Sequence, residues 1–212
     1  MATTETRLLL LGAVSIFEPV NGYQIRRELI SWGVEEWANI RPGSIYNGLA
    51  TLAQRGELVR HDLRDGGREV AVYELSDAGR EEFHRLFESA LTEVRSTSPL
   101  AFQTAMSMLP MTTRERAAEL LRTRLQNLDD AAAEGRRREA AADLVPPHVQ
   151  ELLDYWGRIA RAERDWLVQL IAHVGEGAMT FRDEPWQWKP ADDDPGWQIQ
   201  EDRQRYLALL GR

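Results

Sequence analysis

Two pairs of arginines and a short polar stripe are the side chains of this sequence best suited to chemistry. That chemistry is phosphate neutralisation and the reading of base edges. Arg64 and Arg68 bracket Gly66-Gly67, which would carry two guanidiniums to the tip of a tight turn. Arg26 and Arg27 lie in a helical pattern shortly before a second helix opened by Pro42. A guanidinium offers fixed donors that match a phosphate oxygen pair, and such contacts set register and dominate salt-dependent affinity for DNA. Within the Pro42 helix, Ser44, Asn47, Gly48 and Thr51 recur at i, i+3, i+4 and i+7 and so are expected on one outward stripe, with Ile45, Leu49 and Leu52 turned inward. The stripe is polar and uncharged. Asn47 on it could pair bidentately with adenine, and Gly48 would permit close approach to the DNA backbone.

Other chemistries fare poorly. His61, His84, His148 and His173 have no H-x-x-x-H or related metal spacing, and neither a Walker loop nor a G-x-S-x-G motif occurs. The Asp192-Asp193-Asp194 run lacks the alternate-residue spacing of a calcium loop. With no cysteine in the chain, disulfides, thiolate zinc sites and thiol nucleophiles drop out, which suits a reducing cytoplasm. No enzyme activity, cofactor or metal is expected.

The elements that must position these residues follow from hydrophobic period. Leu8 to Phe17 is apolar on nearly every face and reads as a buried helix. It is too short for a bilayer, which needs about 20 residues, and Glu5 beside Arg7 with no A-x-A site argues against a signal peptide. Asn21 caps a second helix to about Ser31; Pro42 opens a third that Gly56 ends. The period then changes to that of strands at Leu58 to Leu63 and Val70 to Leu75, joined through the two glycines as a hairpin. Ser76 caps a further helix whose apolar stripe runs from Phe83 to Val94.

Beyond Pro99 the chain is predicted all-helical to about Gly175. A short piece near 100–109 precedes a long helix with Ala118, Leu121, Leu125, Leu128 and Ala132 on one face; Pro146-Pro147 marks a bend. The returning helix carries Val149, Leu152, Leu153, Trp156, Ile159, Trp166, Leu170 and Val174, so the two form an antiparallel hairpin. Each has more apolar face than the other can cover, and a second copy of the chain is the natural partner. Trp156 and Trp166 are candidates for core packing, for the dimer seam or for a site taking a flat aromatic effector. Trp186, Trp188 and Trp197 are expected to anchor the tail, which ends in a last helix from Gln198 to Leu210. The domains are therefore 1–95, 99–175 and a tail of 176–212.

Charge sets a boundary condition. The 212 residues hold 26 basic and 34 acidic side chains, net −8. A generic nucleic-acid coat is excluded; a specific reader with a local basic patch is not. Residues 1–75 carry 8 basic and 10 acidic groups, so that patch must be built by placement.

Three helices followed by a hairpin is the order of a winged helix-turn-helix. In detail, Gly22-Tyr23-Gln24-Ile25, then Arg41-Pro42-Gly43-Ser44-Ile45-Tyr46-Asn47-Gly48-Leu49, then Tyr73-Glu74-Leu75-Ser76-Asp77-Ala78-Gly79-Arg80 resembles the PadR family of bacterial transcriptional regulators over about residues 7–95. The helical hairpin beyond is similar to the longer dimerisation region of that family's virulence-activator-like branch. The resemblance implies a mainly α fold, a winged helix-turn-helix on double-stranded DNA, homodimerisation, and in some relatives release by phenolic acids or drugs. With the placement of the arginines and of the polar stripe, it puts Tyr23, Arg26, Arg27, Ser44, Tyr46, Asn47, Thr51, Arg64 and Arg68 at the DNA, Ser44 and Tyr46 matching the family's motif positions and expected to bond phosphate or approach thymine methyls. The chain departs from the family pattern at Asn47, where proline is usual, and at Ala50 and Thr51, one of which is often basic. A repressor on an inverted repeat is the expectation; an activator with a second DNA-bound protein, or a winged helix turned protein-interaction module, are the rivals.

Overall fold

The computed structural model describes residues 3–38, 40–95, 98–139, 145–185, 191, 194 and 196–212. The chain divides into two compact units, Met1–Phe87 with Trp188–Arg212, and Glu88–Gln187.

The first unit is built around α1 (Thr4–Phe17), every residue of which from Leu8 to Val14 is buried. Burying a leucine side chain contributes about 1.5–3 kcal/mol, so this run of four leucines is a large share of the unit's core. Thr3 caps it. At its far end Glu18 accepts from the Leu75 backbone N–H at 2.7 Å and from Arg80 at 2.6 Å. Helix α2 (Gly22–Ser31) starts in a full capping box: the Asn21 side chain accepts from the Gln24 N–H while Gln24 answers the Asn21 N–H. A one-turn helix α3 (Val34–Trp37) intervenes before α4 (Pro42–Gln54), which has proline in its first turn.

Strands β2 (Leu58–Asp65) and β3 (Arg68–Leu75) form the hairpin, antiparallel with Asp65 opposite Arg68. The turn is Gly66-Gly67 alone, with φ of 55° and 83°, values a two-residue hairpin turn demands and glycine adopts freely. A two-residue strand β1 (Val20–Asn21), not expected from the sequence, pairs with β3 and gives a sheet of order β1-β3-β2. Two residues are too few to show alternation. Ser76 then caps α5 (Asp77–Thr92), its hydroxyl accepting from the Gly79 N–H at 3.0 Å and donating to the Gly56 carbonyl at 2.6 Å. A β-carbon at Gly79 would strike the Glu57 carbonyl, which is why that position is glycine. The buried Glu57 receives two bonds from Arg7, at 2.8 and 2.5 Å, and pairs with Arg55 at 3.0 Å, tying the start of α1 to the root of the hairpin.

The C-terminal helix, α9 (Trp197–Leu209), packs in this first unit. Tyr206, 2% exposed, accepts through its hydroxyl from the Asn21 amide at 2.8 Å. Of the tryptophans proposed to anchor the tail, Trp186 and Trp188 lie outside the described residues, and Trp197 donates to the Ala191 carbonyl at 2.8 Å. Asp192 and Asp193 likewise lie outside the described residues.

The second unit comprises α6 (Leu100–Met106), a 3-10 turn (Leu109–Met111), α7 (Arg114–Glu139) and α8 (Pro147–Gly175). Helices α7 and α8 are antiparallel: Arg114 bonds the Val174 carbonyl, while Arg124, ten residues on, meets Glu163 at 2.6 Å. Arg124 is 1% exposed. It donates to the Glu93 carbonyl at 2.5 Å and stacks over the Phe102 ring at 3.7 Å. Burial pulls its guanidinium below the ordinary arginine value, against the opposing pull of Glu163. No described helix is long and apolar enough to cross a membrane.

Candidate nucleic-acid interface

Helix α4 is held from two sides by glycine contacts. Gly22 at the start of α2 lies under the Tyr46 ring, so that a β-carbon there would sit 3.2 Å from Tyr46 Cε1. Gly48 faces α1, where a β-carbon would collide with Leu10 Cδ1. This corrects the expected stripe. Gly48 is buried and serves close helix–helix approach, leaving Ser44 and Asn47 exposed and Thr51 half-buried. Successive helical residues differ by about 100°, so position 48 sits at the boundary between the two faces and the packing partner decides its side.

The exposed surface of α4 therefore includes Ser44, Tyr46 and Asn47, flanked by Gly43 and Gln54, with Thr51 half-buried at its edge. The Ser44 hydroxyl donates to the Arg41 carbonyl at 2.6 Å and that of Thr51 to the Asn47 carbonyl at 2.8 Å. Each hydroxyl oxygen retains its acceptor capacity. Tyr46 is 44% exposed and Tyr23, in the first turn of α2, 59%. Both are large for their exposure, and neither is an ordinary core aromatic.

The arginines of residues 1–87 fall into two sets. Between residues 1 and 87, Arg7, Arg27, Arg55, Arg60, Arg80 and Arg85 are ion-paired. Arg26, Arg41, Arg64 and Arg68 have no carboxylate partner among the described residues. These four sit on α2, which carries Tyr23, on the residue preceding α4, which carries Tyr46 and Asn47, and on the hairpin. Arg27, singled out with Arg26 from sequence, bonds its neighbour Glu28 at 3.0 Å. Arg41 was missed. Its signal was its place as the residue before a Pro-initiated helix; in the structure it is the extended N-cap (φ −81°, ψ 147°) and is exposed.

In the second unit Trp156 and Trp166 are ten residues apart on α8, about 2.8 turns, and fall on adjoining stripes. Trp156 is half-buried. Trp166, 43% exposed, meets Phe102 edge-on with ring centres 6.1 Å apart.

The model of the transcriptional regulator PadR-like family matches residues 10–85, the span from α1 through the hairpin into α5. Residues 10–85 are a PadR-like domain. The match takes in both exposed tyrosines, α4 and the four unpaired arginines of this PadR-like domain. Among solved structures, Bacillus subtilis PadR in complex with operator DNA is 17% identical with a TM-score of 0.33, the alignment covering 78% of this chain and 97% of that one. A PadR-like transcriptional regulator from Bacillus cereus is 18% identical, TM-score 0.33, covering 81% and 98%. Bacillus subtilis PadR in complex with p-coumaric acid is 17% identical, TM-score 0.28, covering 82% and 99%. No curated protein matches the chain.

Proposed function

We propose that this chain is a homodimeric, one-component transcriptional repressor that binds an inverted repeat in double-stranded DNA through its PadR-like domain. The observation that carries the reading is the partition of arginines: six are neutralised within the fold, and the four left unpaired lie on α2, at the head of α4 and on the wing. Leaving these four guanidiniums without a carboxylate supplies a local positive field on an otherwise acidic chain. In this reading Arg26, Arg41, Arg64 and Arg68 contact phosphate, with Tyr23, Ser44 and Tyr46 beside them, while Asn47 reads a base edge. Arg27 and Thr51 support the same face.

The dimer is assigned to α8. Leu152, Tyr155 and Trp166 are 42%, 58% and 43% exposed, and with the half-buried Ile159 they follow spacings of three, four and seven, the stripe of a paired helix. Leu167, Leu170 and Val174 on α8 are already buried. A two-fold partner covers the open stripe and holds two readers about 34–36 Å apart. A planar aromatic effector, taken up near Trp156 or Trp166, completes the reading.

The test is footprinting of full-length protein on the DNA upstream of its own gene. Protection of two half-sites with repression of a reporter is expected. An absence of binding at low salt overturns the DNA-binding reading and favours a protein-interaction module; activation of the reporter overturns repression alone.

A further inference from the structure

We propose that Arg205, on the C-terminal helix, is the charge partner that makes the wing tip a phosphate-binding element; the inference rests on the reading of the wing as a DNA contact. Taken alone the tip is electrically neutral, since Arg64 and Arg68 are matched by Asp65 and Glu69. The strand register makes this worse. Asp65 lies directly opposite Arg68, and Arg64 opposite Glu69, and opposite charges facing each other across strands attract. An Arg68 paired with Asp65 would present no net charge to a phosphate.

The structure diverts that carboxylate. Arg205 Nε donates to Asp65 Oδ2 at 3.0 Å, and the Asp65 side chain is 22% exposed. Arg68 is left without a carboxylate partner among the described residues. Arg205 brings Asp202 with it, so the sum of charges stays even; what the bond changes is that the Asp65 carboxylate is occupied and the Arg68 guanidinium is left to meet a phosphate.

Arg205 is itself held in place. Its Nη2 donates to Asp202 Oδ1 at 2.5 Å, and its guanidinium carbon lies 5.9 Å from the Tyr206 ring centre. Asp202 in turn accepts from the buried Gln24 amide at 2.6 Å and from Gln198 at 3.1 Å, and Tyr206 is anchored on Asn21. Asn21 and Gln24 are the capping pair of α2. A second link, Arg212 to Glu74 at 2.9 Å, fastens the end of the chain to β3. The same C-terminal segment thus grips the cap of α2 and the tip of the wing, and Arg205 acts as a positioning and neutralising residue rather than as a DNA contact.

The test compares full-length Arg205→Gln, Arg205→Lys, Asp65→Asn and the double variant R205Q/D65N with wild type. The readout is binding to a fluorescent 40-base-pair mixed-sequence duplex and to the upstream duplex over a range of salt, with R64A/R68A as the wing control. Arg205→Gln should weaken both duplexes several-fold and lower the slope of log K against log salt by up to about 0.9, the value of one phosphate contact. Arg205→Lys should bind as wild type. In the double variant, removing the Asp65 charge should restore affinity to within about twofold of wild type, a rescue that an unfolded protein could not show. Unchanged affinity in Arg205→Gln, a gain in affinity, or a loss that persists in full on the Asp65→Asn background each overturns the proposal. If R64A/R68A loses affinity while Arg205→Gln does not, the proposal alone fails. If neither changes, the wing reading fails.

Discussion

Gly48 on α4 lies so close against Leu10 on α1 that a β-carbon at position 48 would overlap the leucine Cδ1, and this contact sets how deeply α4 is seated. Leu10 is fully buried, so its side chain has little room to yield. Gly48→Ala is expected to destabilise the first unit by about 1–2 kcal/mol, because overpacking outweighs the helix propensity alanine restores. Adding Leu10→Ala should offset part of that loss, so the two substitutions should be non-additive in denaturant melts. Gly79→Ala, which meets the Glu57 backbone rather than a side chain, should cost more.

Phosphate and base contacts should separate in competition assays. Arg64→Ala with Arg68→Ala should weaken operator and unrelated DNA alike and lower the salt slope by about 0.9 per lost contact. Arg41→Ala should do the same singly. Asn47→Ala should instead lose about 1–3 kcal/mol of discrimination at one base pair, and a uniform loss across all sequences would move it among the phosphate contacts.

In the second unit Glu163 is the counter-ion of a buried arginine. Glu163→Ala should destabilise the protein by about 3–5 kcal/mol, since it strands the Arg124 charge over Phe102. Replacing both partners by apolar residues of like volume should recover most of that loss. Equal melting temperatures for Glu163→Ala and wild type would show that Arg124 is solvated.

The α8 seam is open to a direct mass measurement. Light scattering after size exclusion should give about twice the 24.2 kDa chain mass, and Leu152→Glu with Tyr155→Glu should return it to that of one chain. The same variant should protect one half-site instead of two and bind a full palindrome about 10²- to 10⁴-fold more weakly. If an aromatic effector binds at α8, Trp156→Phe or Trp166→Phe should abolish its quenching of tryptophan emission, and quenching should track DNA release.

Acid should act through Glu82. Its hydrogen bond from Arg85, with Arg7 nearby, holds its carboxyl below the ordinary glutamate value. A depressed carboxylate contributes stability that is present above the unfolded value, about pH 4.3, and is lost as pH falls through the folded value. Glu82→Gln should therefore lower the melting temperature at neutral pH and flatten its decline below about pH 5. An unchanged acid limb would remove Glu82 from the account.

What the sequence determined by itself is what short-range physics encodes. Buried Leu8 to Val14, the Asn21 cap, Pro42 at a helix start, the Gly66-Gly67 turn and the Ser76 cap each depend on residues within a turn or two of one another, and each stands where the pattern put it. The paired long helices were legible for the same reason, as an apolar period. Only the tertiary structure decided matters that hang on distant partners. Gly48 lies on the border of two helix faces, and Leu10, 38 positions away in the chain, settles which one. Whether an arginine is free depends on carboxylates elsewhere: Arg7 is spent on Glu57 and Glu82, Arg41 is not, and composition treats them alike. The return of α9 to the first unit rests on Asn21 with Tyr206, Gln24 with Asp202 and Asp65 with Arg205, separated by 185, 178 and 140 residues. No periodicity spans such distances, because a side chain's partner across the fold leaves no trace in its own neighbours.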